Sequence, residues 1–134
     1  MRAFIDTNVF IYAIELHPKY GEIAGRVLGM VDSGELEGFT SSLVILEICW
    51  YLEHRKRLRE MREAVELITS SKMRVEDIKQ QDIMDALEDK TIYQTIDLND
   101  LINFNVMRRQ GLETIYTNDA HFQRLPEIEM KFNT

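Results

Sequence analysis

Three short apolar runs in the 134-residue chain end in polar clusters. Phe4-Ile5 leads into Asp6-Thr7-Asn8, Gly38-Phe39 into Thr40-Ser41-Ser42, and Ile115-Tyr116 into Thr117-Asn118-Asp119. In an open parallel sheet the ligand lies beyond the carboxyl ends of the strands, so residues leaving a strand are the first to consider. On that reading Asp6 and Asp119 share one rim although more than a hundred positions separate them. Glu47 is the only charge in the apolar run 43–52. An isolated carboxylate on a helix that is apolar almost all round needs a partner, a proton or a metal. The run Asp97-Leu98-Asn99-Asp100 opens a later helical pattern. Each acid also has a local reading. Asp6 or Thr7 can cap a helix from Asn8, Asp119 a short turn over 120–125, and Asp97 with Asp100 can form an acidic capping box, while Glu47 can pair with an arginine. Four acids on one rim are hard to attribute to capping alone. Packed carboxylates repel unless a hard cation lies among them, and oxygen ligands without Cys or clustered His point to Mg²⁺ or Mn²⁺. Carboxylate-held divalent ions are the usual equipment for in-line hydrolysis at phosphorus.

The elements needed to position these acids follow from the alternation of short apolar runs with longer helical patterns, the mark of βαβ units and a parallel sheet. The pattern predicts a strand over 3–5, a helix over 8–16 ended by Pro18, and a second helix ended by Ser33-Gly34. A strand over 38–40 follows, then a helix from Leu43 capped by Ser41-Ser42, turning at 54–59 into a basic stretch and a further helix reaching Ser70. A strand over 73–75, an acidic helix over 82–89 and a helix over 98–110 come next. Gly111 suits the left-handed position closing that last helix. Strands over 114–116 and 128–132 complete the pattern, the last one at a sheet edge.

The length predicts a single domain over 1–134, with no linker, repeat or low-complexity stretch. Apolar residues at 45%, charged residues at 29% and two prolines exclude disordered and collagenous classes. The lone Cys49 excludes an internal disulfide, which together with the early Asp6 and the lack of a long apolar run predicts a soluble, cytoplasmic protein with no membrane partner. A net charge of −7 argues at first against nucleic acid. The cations, however, gather in one segment, where Arg55, Lys56, Arg57, Arg59 and Arg62 follow the Glu47 helix. They form either a basic ridge near the acidic pocket, able to meet RNA phosphates, or a solvated helix-helix turn. Trp50 and Tyr51 are read as core or dimer interface rather than as a base-stacking platform.

Taken in order, these motifs resemble those of the PIN-domain family, and the layout over the whole chain is similar to the VapC-type ribonuclease toxins and their small archaeal relatives. The opening strand with Asp6-Thr7-Asn8, the Thr40-Ser41-Ser42 turn leading to Glu47, the Asp100 and Gly111 pair, and Thr117-Asn118-Asp119 with Phe122 after it carry the resemblance. It implies a three-layer α/β/α fold with a central, mainly parallel sheet and an endoribonuclease dependent on Mg²⁺ or Mn²⁺. Asp6, Glu47, Asp100 and Asp119 would hold the metal and do the catalysis. Thr7, Asn8, Thr117 and Asp97 would support them. A homodimer and a small antitoxin protein are the partners so implied. Many relatives carry a further acid where this chain has His121, which weakens the case for a second metal, and Asp97 competes with Asp100 for the third position. Phosphoryl-aspartate, receiver and dinucleotide-binding readings fail for lack of a second Asp at position 8, of a receiver's acidic pair and lysine, and of a Gly-rich first turn. The remaining alternative is a catalytically weak or inactive PIN-like module that binds RNA or protein.

Overall fold

The computed structural model describes residues 1–132. Asn133 and Thr134, the last two residues of the span predicted as one domain, lie outside the described residues. The elements in chain order are β1 (Arg2–Ile5), α1 (Thr7–Ile14), α2 (Gly21–Ser33), β2 (Glu37–Ser41), α3 (Ser42–His54), α4 (Leu58–Ser70), β3 (Arg74–Glu76), α5 (Gln80–Lys90), α6 (Leu98–Arg109), β4 (Thr114–Tyr116) and β5 (Glu129–Lys131). A short 3-10 turn, Ala120–Arg124, joins the last two strands.

The five strands form one sheet in the order β3-β2-β1-β4-β5, and every pairing is parallel. The sheet is thus wholly parallel where the sequence implied a mainly parallel one. Parallel strands covered on both faces are apolar throughout rather than alternating, and Ala3, Phe4 and Ile5 of β1 are all fully buried. From β1 the chain steps outward through β2 to β3, then returns across the sheet to β4 and β5. Right-handed crossovers put α1 to α4 on one face and α5 and α6 on the other, giving the three layers. The direction of winding reverses between β1 and β4. That seam is the topological switch point, where an open α/β sheet leaves a crevice at its carboxyl edge.

Local chemistry sets the element ends. Ser41 caps α3, its Oγ accepting from the Val44 amide at 3.2 Å while donating to Asn103 Oδ1 at 2.6 Å. Gly34 and Gly111 adopt left-handed φ values of 83° and 68° after α2 and α6, a conformation that a Cβ disfavours. Helix α3 breaks at Arg55-Lys56-Arg57, within the predicted basic stretch. One expectation fails on this element. The helix is not buried all round, because Leu46 and Trp50 stand 44% and 47% exposed while Val44, Ile48 and Leu52 enter the core.

Candidate active site

Asp6 leaves β1 at the switch point. Its amide donates to the Tyr116 carbonyl at 3.1 Å, which extends the β1–β4 ladder by one step and fixes where the side chain emerges. The carboxylate has two tasks. Oδ1 caps α1 by accepting from the Thr7 amide at 2.8 Å, and Oδ2 accepts from Thr117 Oγ1 at 2.7 Å and from Asn8 Nδ2 at 3.4 Å. Asp6 thus caps α1 and also lines the cleft. Asp6 is 4% exposed. Burial pushes its pKa up to about 6 against the lowering effect of the Thr117 and Thr7 hydrogen bonds, with the charges of Glu47 and Asp119 adding to the rise.

Thr117 joins the two strand ends. Its fully buried Oγ1 donates to Asp6, accepts from Asn8 Nδ2 at 3.0 Å and accepts from the Asp119 amide at 3.1 Å. Asn8 completes the clasp by accepting from the Asn118 amide at 3.1 Å. Asp119 is thereby delivered beside Asp6, and its Oδ1 caps the 3-10 turn through the His121 amide at 2.9 Å.

Glu47 lies early in α3. Thr7 Oγ1 donates to its Oε1 at 2.7 Å and Asn99 Nδ2 to its Oε2 at 3.4 Å. Among the described residues no arginine pairs with it, so the ion-pair reading gives way to neutral donors. Asp100, in the first turn of α6, is pushed up to about 9. Burial is the main cause, followed by the charges of Asp6 and Asp119, a hydrogen bond shared with Asp119, and the charge of Glu47. Asp97 stands at the N-cap of α6 without a side-chain capping bond. The acidic capping box expected there does not form, and Asp97 faces the cleft instead.

The cleft at this edge has a volume of about 550 Å³ and is lined by Asp6, Thr7, Asn8, Ile11, Glu47, Asp97, Leu98, Asn99, Asp100 and Asp119. Five of these are acids, and among the described residues no Lys or Arg is with them. Thr40 and Ser41, expected at the rim, are instead fully buried, and Thr40 Oγ1 donates to the Ile5 carbonyl at 2.9 Å. A smaller apolar groove of about 410 Å³, walled by Phe10, Ile14, Leu28, Leu67 and Met73, lies elsewhere and contains none of the four carboxylates.

None of the five basic candidates lines the cleft. Arg55 is eight residues beyond Glu47, about 12 Å along the axis at the helical rise. It stacks 3.5 Å over the Tyr51 ring. Arg57 is held in ion pairs with Glu15 and Glu60, and Arg62 pairs with Glu66 at 3.2 Å. Lys56 and Arg59 are exposed.

Two residues at the site escaped the sequence reading. Asn99 was visible only as a neighbour of Asp100, and its contact with Glu47 depends on how α6 docks on α3. His121 was noted as a departure, yet its Nδ1 lies 3.3 Å from Asp119 Oδ1 and 4.0 Å from Asp100 Oδ2. One ligand atom from each of Asp100, Asp119 and His121 falls within 4.8 Å of the others. The donor set, mostly anionic oxygen without an internal cation, fits a divalent metal ion.

No curated protein matches the sequence. Solved structures share the fold. VapC20 of Mycobacterium tuberculosis, described as a toxin cleaving the sarcin-ricin loop, is 22% identical with a TM-score of 0.76, covering 88% of this chain and 90% of that one. VapBC2 of Rickettsia felis, solved on a promoter DNA fragment, is 20% identical at a TM-score of 0.74 over 98% of both chains. DNA-bound VapBC of Salmonella typhimurium is 21% identical at 0.73, covering 98% and 97%. The family model described as the PIN domain matches residues 3–128. With that match over nearly the whole described length, the chain belongs to the PIN-domain family.

Proposed function

We propose that the protein is an endoribonuclease dependent on Mg²⁺ or Mn²⁺, acting as the toxin of a toxin-antitoxin pair. The observation that carries this reading is the convergence of Asp6, Glu47, Asp100 and Asp119, from four separate elements, on one cleft that no Lys or Arg lines among the described residues. Such a set is electrostatically unfavourable alone and favourable around a divalent cation. A bound divalent ion would supply a water activated at neutral pH and charge stabilisation at the phosphorus. Asp6, Glu47, Asp100 and Asp119, which line the cleft together, would hold the ion. Thr117 fixes Asp6 with a hydrogen bond whose acceptor must be a carboxylate oxygen, and Thr7 does the same for Glu47. These bonds, with the Thr7 amide on Asp6 Oδ1 and Asn99 on Glu47 Oε2, fix the orientation of both carboxylates at the cleft. Asp97 adds negative charge at the rim.

Arg55, Lys56 and Arg59 offer RNA phosphates a contact outside the cleft, since Arg57 and Arg62 are engaged by glutamates. A small antitoxin is proposed as a partner because similar structures are of VapBC complexes. A homodimer is proposed on the exposed Leu46 and Trp50 of α3. No described helix is long and apolar enough to cross a membrane, in keeping with the proposed cytoplasmic setting. The whole chain is proposed to act as one domain.

The test is cleavage of structured RNA by purified protein with Mg²⁺ or Mn²⁺. Cleavage should be internal, stop with chelator and be lost in Asp6→Asn. RNA binding without metal-dependent cutting would favour the inactive binding module instead.

A further inference from the structure

Beside the cleft, against Asp100 and Asp119, lies one polar atom that the carboxylate scheme leaves unused. His121 Nδ1 is shielded from solvent and has no hydrogen-bond partner, although an unpaired buried nitrogen is costly. The side chain is 39% exposed, but its backbone is fixed. The backbone amide of His121 is tied to Asp119 Oδ1, and Phe122 after it is fully buried in the core. Carboxylate oxygens of Asp119 and Asp100 lie 3.3 Å and 4.0 Å from the nitrogen. Two ligand atoms bound at about 2.1 Å to one octahedral ion stand about 3 Å apart when adjacent and about 4 Å apart when opposite. The observed separations fall in that interval.

The geometry points to His121 Nδ1 as a metal ligand beside Asp100 and Asp119, making the centre a mixed nitrogen and oxygen site that selects Mn²⁺ over Mg²⁺. This rests on the metal-dependent reading above and specifies the ion. Mg²⁺ is a hard cation that favours oxygen and gives up water reluctantly, whereas imidazole suits first-row transition ions. An all-carboxylate site discriminates weakly between the two. Replacing one oxygen donor by a neutral imidazole both lowers the site's negative charge, which Mg²⁺ depends on, and adds a donor that Mn²⁺ accepts. The other two histidines are committed elsewhere: His17 Nδ1 accepts from the Lys19 and Tyr20 amides, and His54 Nδ1 contacts the Trp50 carbonyl at 2.7 Å.

The experiment reads binding rather than turnover. Pulsed electron paramagnetic resonance of the Mn²⁺-loaded full chain reports nitrogen bound directly to the ion, and calorimetry gives Mn²⁺ and Mg²⁺ affinities for wild type, His121→Asp and Asp6→Asn. The expected result is a strong ¹⁴N coupling in wild type that disappears in His121→Asp while Mn²⁺ still binds. The Mn²⁺ over Mg²⁺ preference should shrink on the order of tenfold in that variant, the scale on which ligand-sphere changes act. Mn²⁺ bound in wild type without ¹⁴N coupling, or an unchanged preference in His121→Asp, overturns the assignment while leaving the metal-dependent reading intact. Mn²⁺ affinity unaffected by Asp6→Asn overturns both.

Discussion

Asp100 is held where its charge is expensive, buried and facing Asp6, Asp119 and Glu47. Without metal, the acid is therefore a source of instability. Asp100→Asn keeps the shape and removes the charge, so we expect the metal-free variant to be more stable by about 1 kcal/mol or more, a few degrees in Tm, and to lose metal-dependent cleavage. Differential scanning calorimetry with and without divalent cation checks both halves. The same acids set a pH dependence. Their folded pKa values, about 9 for Asp100 and about 6 for Asp6, lie above the ordinary 3.8. Between 3.8 and those values the folded protein holds protons that the unfolded chain has released, so stability falls as pH rises. Glu15, Glu60 and Asp82, whose pKa values are lowered, act in the opposite sense but at more acid pH. The metal-free Tm should thus be lower at pH 8 than at pH 5, with added Mn²⁺ recovering most at the alkaline end. At this scale much was legible: Asp6 and Asp119 follow from leaving parallel strands, and Glu47 from being alone in an apolar run. Its partners were not, because whether Thr7, Asn99 or an arginine reaches Glu47 is decided by how three helices dock, and spacing along one chain does not carry that.

At the scale of elements, close approach decides. Gly38 in β2 leaves no room for a side chain, since a Cβ there would lie 2.7 Å from Val31 Cγ2 and 2.9 Å from Met73 Sδ. Gly38→Ala forces α2 and the entry to β3 outward, and overpacking of this kind costs typically 1–3 kcal/mol. Denaturant unfolding should show that loss with the slope unchanged. The strands and helices were readable from period and caps, with ends moving by one or two residues as caps and ladders formed. Two features were not. Asp97 has the residue type and place of a cap, yet its side chain turns to the cleft, which only the docked α6 reveals. The exposure of Leu46 and Trp50 is likewise set by how far α4 wraps α3, and apolar composition alone reads as burial.

For the whole molecule, the distribution of charge matters more than its sum of −7. None of the basic residues after α3 lines the cleft, and screening by salt over a Debye length of about 8 Å further weakens any neutralisation of the carboxylates. Reversing Arg55 and Arg59 to Glu together should raise the KM for RNA and reduce its salt dependence, with kcat little changed, whereas Asp6→Asn abolishes kcat. Steady-state cleavage at several salt concentrations separates these effects. A last consequence comes from β4 lying between β1 and β5 although β1 opens the chain and β4 is nearly its last strand. Thr117 clasps Asp6 across 111 positions of sequence and delivers Asp119 beside it. A fragment cut before Thr114 would lack the strand that seats beside β1, and should leave Asp6 unclasped and the cleft open on its β4 side.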